Sequence, residues 1–415
     1  MTTPLSRPPK KNPMARTRRP TQPPAARSRR ALGLTASAAA GAFNLQVCQE
    51  CGAVQYPPRE VCHQCLSDQL LWQPVAPRGM LLALTTLHHS NDLFFRERLP
   101  WRIGTVQLES GPRAIAHVHG DCECGQPVML TLKLDRSGQA VLIALPEKAT
   151  AHMEDDKVLR ETSCDPKFRR ALVTDGKSAV GQATIKALLD AGATLVFAGD
   201  PDVWKTNRAF NTLCEDPRVL PQTLDITDTD SVERVAGSIG GKVDILVNTA
   251  DYTRDGGIMY GRDLLKAHEA LNVNCLGLMR LAQHFGPAMA SRAADGTASA
   301  VAWVNTLSIY AQLNLPARGM WSVSQAAALS ASQCLRNELR AAGVRVIHVL
   351  SGPIDYEWEQ LTPPPRVSPA AVANAIVRAL KDGVEETYVG DVAKEFVARL
   401  KDNPKGLERE LGSQG

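Results

Sequence analysis

Apolar and polar residues follow two different periods along this chain, separated by a polar stretch near residue 160. Between Phe43 and Ala149, runs such as RGMLLALTTL, WRIGTVQLES, PRAIAHVHG, QPVMLTLKL and AVLIAL alternate, and Gly or Pro breaks them about every eight to twelve residues. That spacing predicts short strands closing into a small barrel or sandwich. After Arg169 apolar strands and amphipathic helices take turns. Strands are predicted over Arg170–Thr174, Thr194–Ala198, Val219–Leu224, Val243–Asn248, Ala300–Thr306 and Val344–Leu350. Helices are predicted over Ala179–Ala191, Asn272–Ala290 and Trp321–Ala341. Strands alternating with helices imply a doubly wound parallel sheet. The expected chain is therefore multidomain, a small all-β domain followed by an α/β Rossmann-type domain. Its parts are a disordered Pro/Arg-rich tail (1–34), the β-domain (35–149) opening on a short Ala-rich helix, a linker (150–168), the α/β domain (169–391) and a helical tail (392–415).

Composition changes this picture only slightly. The chain has 415 residues, 44% hydrophobic and 22% charged, which is ordinary globular usage. No run approaches the ~18 apolar residues of a membrane span, so no membrane partner is expected. Cys164, Cys214, Cys275 and Cys334 stand singly in segments that read as core, which points to a reducing, cytoplasmic setting. The net charge is +4, yet residues 1–30 alone hold nine Lys/Arg and no acid. The basicity thus belongs to the tail, and a global affinity for nucleic acid is not implied.

Candidate metal chemistry is concentrated in Cys48-x2-Cys51 and Cys62-x2-Cys65. Thiolates two residues apart on a tight turn can both face one ion, and two such turns close a tetrahedron of four sulfurs with no place for water, as in structural zinc sites. Cys122 and Cys124, one residue apart, read as an exposed turn, and His117 and His119 as a solvated strand face.

The stretch LQVCQECGAVQYPPREVCHQC, followed by PWRIGTVQLESGPRAIAHVHG, resembles the acyl-CoA-associated zinc-ribbon/OB-fold family once called DUF35, over roughly Thr35 to Ala149. The resemblance implies a non-catalytic subunit that accompanies thiolases or other enzymes of CoA thioesters. A competing reading is nucleic-acid binding by the zinc ribbon and OB fold. It would need aromatic rings for base stacking, and Phe94, Phe95 and Trp101 are the candidates.

The second half carries TDGKSAVG after its first strand, FAGD at the end of its second, then LDITD, NTAD, VNCLG and MWSVSQAAAL. Together these resemble the short-chain dehydrogenase/reductase family from Arg170 to about Gly390. The resemblance implies that a dinucleotide, NAD(P), would be held by Thr174, Gly176, Gly181, Asp200, Asp225 and Asn248. It departs at the phosphate turn, where Asp175 and Ala179 replace glycines. It departs also at Gly199, where an acid is expected for the ribose, at Asp251, which ends the NNAG-like motif, and at Ser351-Gly352-Pro353. Of the catalytic group, Asn274 and Ser308 are retained, while Trp321 and Gln325 stand at the tyrosine and lysine positions. Indole has no accessible proton-transfer equilibrium and Gln carries no charge to shift a neighbour's pKa. The expectation is a pseudoenzyme that forms a homodimer, or a hetero-oligomer with an active sister subunit, through its two long helices. A working 3-hydroxyacyl-CoA dehydrogenase with unorthodox residues, Tyr310 among them, is the alternative.

Overall fold

The computed structural model describes residues 2–7, 21–22, 27–259, 263–293, 299–356 and 365–413. The chain divides into two compact units, one of Met1–Cys164 with Asp382–Val384 and one of Asp165–Lys381 with Glu385–Gly415. No helix among the described residues is long and apolar enough to cross a membrane.

In the first unit β1 (Asn44–Cys48), β2 (Val54–Gln55) and β3 (Leu70–Pro74) form a small antiparallel sheet in the order β2-β1-β3. A closed barrel follows, made of β4 (Arg78–Leu87), β5 (Trp101–Leu108), β6 (Arg113–Val118), β7 (Pro127–Leu134) and β8 (Ala140–Pro146), joined in the order β4-β5-β6-β8-β7. Closure leaves no unpaired edge. Alternation of buried positions along β7 and from Gly104 onward in β5 puts Val106, Leu108, Leu130 and Leu132 in the barrel core, and the helix Leu32–Ala39 adds Leu34 and Ala38 to it.

Several polar segments behave differently from their sequence expectation. Residues 150–164 belong to the first unit and are folded, not a linker. Asp156 caps the helix Lys157–Thr162 by accepting from the Val158 amide at 2.8 Å, and its other oxygen accepts from Gly120 N at 2.9 Å. Val158 packs with Phe94, Trp101 and Ile143. In the tail, Gln22 is buried, its amide N–H donates to Asp135 Oδ2 at 2.9 Å, and its side chain lies 3.2 Å from His117 Nε2. That part of the expected free tail is therefore anchored on the barrel, while residues 8–20 and 23–26 lie outside the described residues. His119 is fully buried, and burial with Arg27 nearby pushes His117 down to about 4. Neither histidine is solvated, because Trp101 Nε1 donates to His117 Nδ1 at 2.8 Å and His119 Nε2 meets Met153 O at 3.1 Å. Cys122 is buried and only Cys124 is exposed.

The second unit holds seven parallel strands. They are β9 (Arg170–Val173), β10 (Leu195–Asp200), β11 (Val219–Thr223), β12 (Ile245–Asn248), β13 (Ala302–Ser308), β14 (Arg345–Ser351) and β15 (Glu386–Val389), in the order β11-β10-β9-β12-β13-β14-β15. All seven are parallel to their neighbours. The order reverses between β9 and β12, and at such a switch point a crevice opens beyond the carboxyl ends of the strands. The last strand and the helices Asp391–Asp402 and Pro404–Ser413 correct the expected boundary at 391. Ala393, Leu407 and Leu411 are buried against Ile309, Tyr310 and Trp321, so the C-terminal helices are part of the domain.

Candidate functional site

The first candidate centre is built on the ribbon. Cys48 ends β1, Cys51 follows in its turn, and Cys62 and Cys65 form the second knuckle. Cys48 Sγ lies 3.5 Å from Cys65 Sγ, Cys51 Sγ lies 3.6 Å from Cys62 Sγ, and all four sulfurs fall within 4.8 Å of one another. Four ligands at the usual zinc–sulfur distance sit about 3.8 Å apart in a tetrahedron, so the donor set fits zinc. Two buried amides that spacing did not reveal hold the loop between the knuckles. Gln46 Oε1 accepts from Arg59 N at 2.8 Å and from Gln55 Nε2 at 3.1 Å, while Gln55 Oε1 accepts from His63 N at 3.1 Å. Backbone N–H groups of Cys65 and Gln64 pull the Cys62 thiol down to about 6, while the neighbouring sulfurs push Cys51 and Cys65 up, because four thiolates without a cation repel one another.

The second centre is the crevice of the parallel sheet. The turn after β9 leads into the helix Ala179–Asp190, whose Ser178 cap accepts from Gly181 N. In this turn the amides already have partners within the chain. Gly176 N donates to Gly199 O at 2.7 Å, and Lys177 N and Ser178 N both donate to Asp175 Oδ1 at 3.1 Å. Burial, with Asp202 and Asp200 adding repulsion, pushes Asp175 up to about 6 against those two amides. A Cβ at Gly181 would stand 1.8 Å from Asp175 O, and one at Gly199 would stand 2.0 Å from Thr174 O. The latter contact explains why no acid occupies position 199. Lys177 Nζ pairs with Asp200 Oδ1 at 2.6 Å and donates to the Asp202 and Lys205 carbonyls at 2.5 and 2.7 Å. Asp225 accepts from Thr227 N and Oγ1 at 2.8 and 2.7 Å, and Thr174 Oγ1 bonds Asn248 Oδ1 at 2.8 Å, tying β9 to β12.

Beyond β12, β13 and β14 lies a cavity of about 660 Å³, lined by Ser308, Tyr310, Trp321, Gln325, Ser351 and Asp251 among others. Asp251 is the residue sequence reasoning did not connect to the catalytic positions. Its Oδ1 accepts from Gln325 Nε2 at 2.9 Å and from Trp321 Nε1 at 3.2 Å, and its Oδ2 accepts from Thr253 Oγ1 at 2.6 Å. Gln325 Oε1 in turn accepts from Ser308 N at 3.1 Å. The Ser308 hydroxyl accepts from Tyr310 N at 3.2 Å, capping the turn Ile309–Ala311. Ser308, Trp321 and Gln325 are thus brought together. Asn274 is placed by a π-helical stretch, Asn272–Gly277, inside its long helix. Its amide oxygen accepts from Tyr252 N at 2.8 Å and its nitrogen donates to Ser324 Oγ at 2.9 Å.

Comparison with known proteins follows these two units. Residues 36–70 match the ChsH2 rubredoxin-like zinc ribbon domain and residues 72–133 the ChsH2 C-terminal OB-fold domain. Residues 169–363 match the short chain dehydrogenase model. A short chain dehydrogenase from Burkholderia cenocepacia, solved in complex with NADP, is 32% identical and superposes with a TM-score of 0.54 over 60% of this chain and 98% of that one. The chain belongs to the short-chain dehydrogenase family. In it a dehydrogenase domain is fused to a ChsH2-type zinc ribbon and OB fold. Among curated relatives, a glucose and ribitol dehydrogenase homolog of Oryza sativa subsp. japonica is 28% identical over 59% of this chain and 84% of its own length. The 3-oxoacyl-[acyl-carrier-protein] reductase FabG of Thermotoga maritima is 26% identical over 46% and 76%. The chain spans only 30% of the probable oxidoreductase EphD of Mycobacterium tuberculosis.

The dehydrogenase fold implies a nicotinamide dinucleotide, and the residues here do not fit one. A carboxylate occupies the phosphate turn and consumes two of its amides, Asp200 is paired to Lys177, and Asp251 projects among the catalytic positions.

Proposed function

We propose that this chain is a non-catalytic scaffold subunit of an assembly that processes CoA thioesters. Its zinc-ribbon/OB unit docks a thiolase-type enzyme. Its dehydrogenase domain serves oligomerisation, as a homodimer or beside an active short-chain dehydrogenase subunit. The observation that carries this reading is the Asp251–Trp321–Gln325 cluster. General acid–base catalysis needs a titratable group near neutral pKa within reach of the substrate proton, and the indole and amide at these two positions are instead hydrogen-bonded to a carboxylate. Leu276, Met279 and Val323, exposed on the two long helices expected to pair, support the oligomeric role. Phe94 and Trp101 are buried in a cluster with Val158, their ring centroids 5.7 Å apart, which favours a protein partner over nucleic-acid stacking.

The active-oxidoreductase reading draws on the persistence of the cavity, with Ser308 and Tyr310 in its wall. An assay of purified protein with NAD(P) and 3-hydroxyacyl- or 3-oxoacyl-CoA separates the two. No turnover is expected, and a rate within tenfold of the ordinary ~10 per second overturns the scaffold. A pull-down from native lysate, with and without residues 1–20 so that Gln22 keeps its anchor on the barrel, tests the partner. A thiolase-type enzyme or a second short-chain dehydrogenase recovered by both forms supports the proposal. Nucleic acid alone, lost with the tail and with rising salt, refutes it.

A further inference from the structure

A protein can lose proton transfer and still hold its cofactor, so the crevice raises a separate question. By position it is an anion site, because amides at a helix N-terminus face the carboxyl ends of the strands. In this chain those ends carry carboxylates on three adjacent strands. Asp200 closes β10, Asp175 follows β9 and Asp251 follows β12. The neighbouring cation, Lys177, is turned onto Asp200 and onto two carbonyls.

The three acids are not equivalent. Asp175 is folded into its own turn and Asp200 is neutralised by Lys177. Asp251 lies in the wall of the cavity and is oriented from three sides, by Trp321, Gln325 and Thr253. A side chain with three donors in place does not swing aside for a ligand. A dinucleotide entering here would bring a pyrophosphate with two negative charges to strand ends that already carry three carboxylates. It would also have to share the cavity wall with a fixed carboxylate.

We infer that Asp251 is the residue that bars nicotinamide dinucleotides from this domain, so that the cavity beside it is a pocket without a cofactor. The inference goes beyond the absence of turnover and does not depend on it.

The test is a titration of full-length, zinc-loaded protein with NADH and with NADPH, following nicotinamide fluorescence. Two variants accompany the wild type. Asp251→Gly removes both the charge and the side chain. Asp251→Asn removes the charge and keeps an oxygen able to accept from Trp321 and Gln325, and thermal melting confirms that each variant is folded. Wild-type protein is expected to show no saturable binding up to about 1 mM, and the variants to bind at least about tenfold tighter. Saturable wild-type binding below about 100 µM overturns the inference. So does the failure of both folded variants to gain affinity. Because binding is read without turnover, a wild type that binds dinucleotide yet converts no substrate sinks this inference and leaves the scaffold proposal standing.

Discussion

The cysteine quartet and the dehydrogenase crevice treat their polar side chains in opposite ways. At the ribbon four sulfurs converge within 4.8 Å, around a point where a cation would satisfy them all. At the crevice the groups that would meet a ligand meet one another. Amides of the phosphate turn reach Asp175, Lys177 reaches Asp200, and Trp321 and Gln325 reach Asp251. A site prepared for a ligand keeps its donors aimed at shared space, because the ligand completes their hydrogen bonding. Where the partner comes from within the chain, a ligand would first have to displace it.

This contrast can be broken most forcefully at the ribbon. Metal-linked folding in such sites is worth ~10–16 kcal/mol, so Cys48→Ser is expected to lower zinc from about one per chain to near none and to open residues 44–74 to protease. Elemental analysis finding a full zinc complement in the variant would show that the quartet is not the ligand set. At the crevice the C-terminal helices build the wall behind Trp321. Leu407→Ala should cost ~2–5 kcal/mol through the cavity it leaves, lowering the melting transition of the second unit by roughly 5–15 °C. An unchanged transition would detach those helices from the domain.

The smallest effect concerns Asp175 and is a pH dependence. Its carboxyl is raised from an ordinary 3.8 to about 6 in the folded chain. Ionisation is therefore resisted by the fold, and the penalty is absent below about pH 4, grows between the two values, and is complete above about pH 6. Asp175→Asn should accordingly stabilise the protein at pH 7 by about 3 kcal/mol, with most of the gain gone by pH 4. Denaturant titrations at the two pH values check the sign. A gain larger in acid would mean that the carboxylate is favoured, not penalised, by its surroundings.

What was legible in the sequence follows from the range of the interactions involved. Metal ligation by Cys48, Cys51, Cys62 and Cys65 needs local spacing, and local spacing is written in the chain. The alternation of strand and helix after Arg169 was equally plain, because each apolar run is buried on the sheet. Residues 150–164 looked like a linker because polarity usually means exposure, whereas Asp156 is buried with the Val158 and Gly120 amides as partners. β15, four residues with only Val389 buried, offered too weak a period to register. Asp251 was visible as a missing glycine, but its bonds to Trp321 and Gln325 span 70 and 74 residues, beyond the reach of any spacing rule.

The three-residue knot around Asp251 also bears on how this chain could change in future. Restoring lysine at 325 alone would set an ammonium against the Asp251 carboxylate and tie both up as an ion pair. Restoring tyrosine at 321 alone would give a phenol whose hydroxyl has the same carboxylate for company. Restoring glycine at 251 alone would strip acceptors from an indole and an amide, and polar groups left buried without partners cost about 1–3 kcal/mol each. Each single substitution toward the family pattern at 251, 321 or 325 thus meets the partners the other two residues leave in place. The cluster couples the three positions, so that a substitution at any one of them changes what the other two meet.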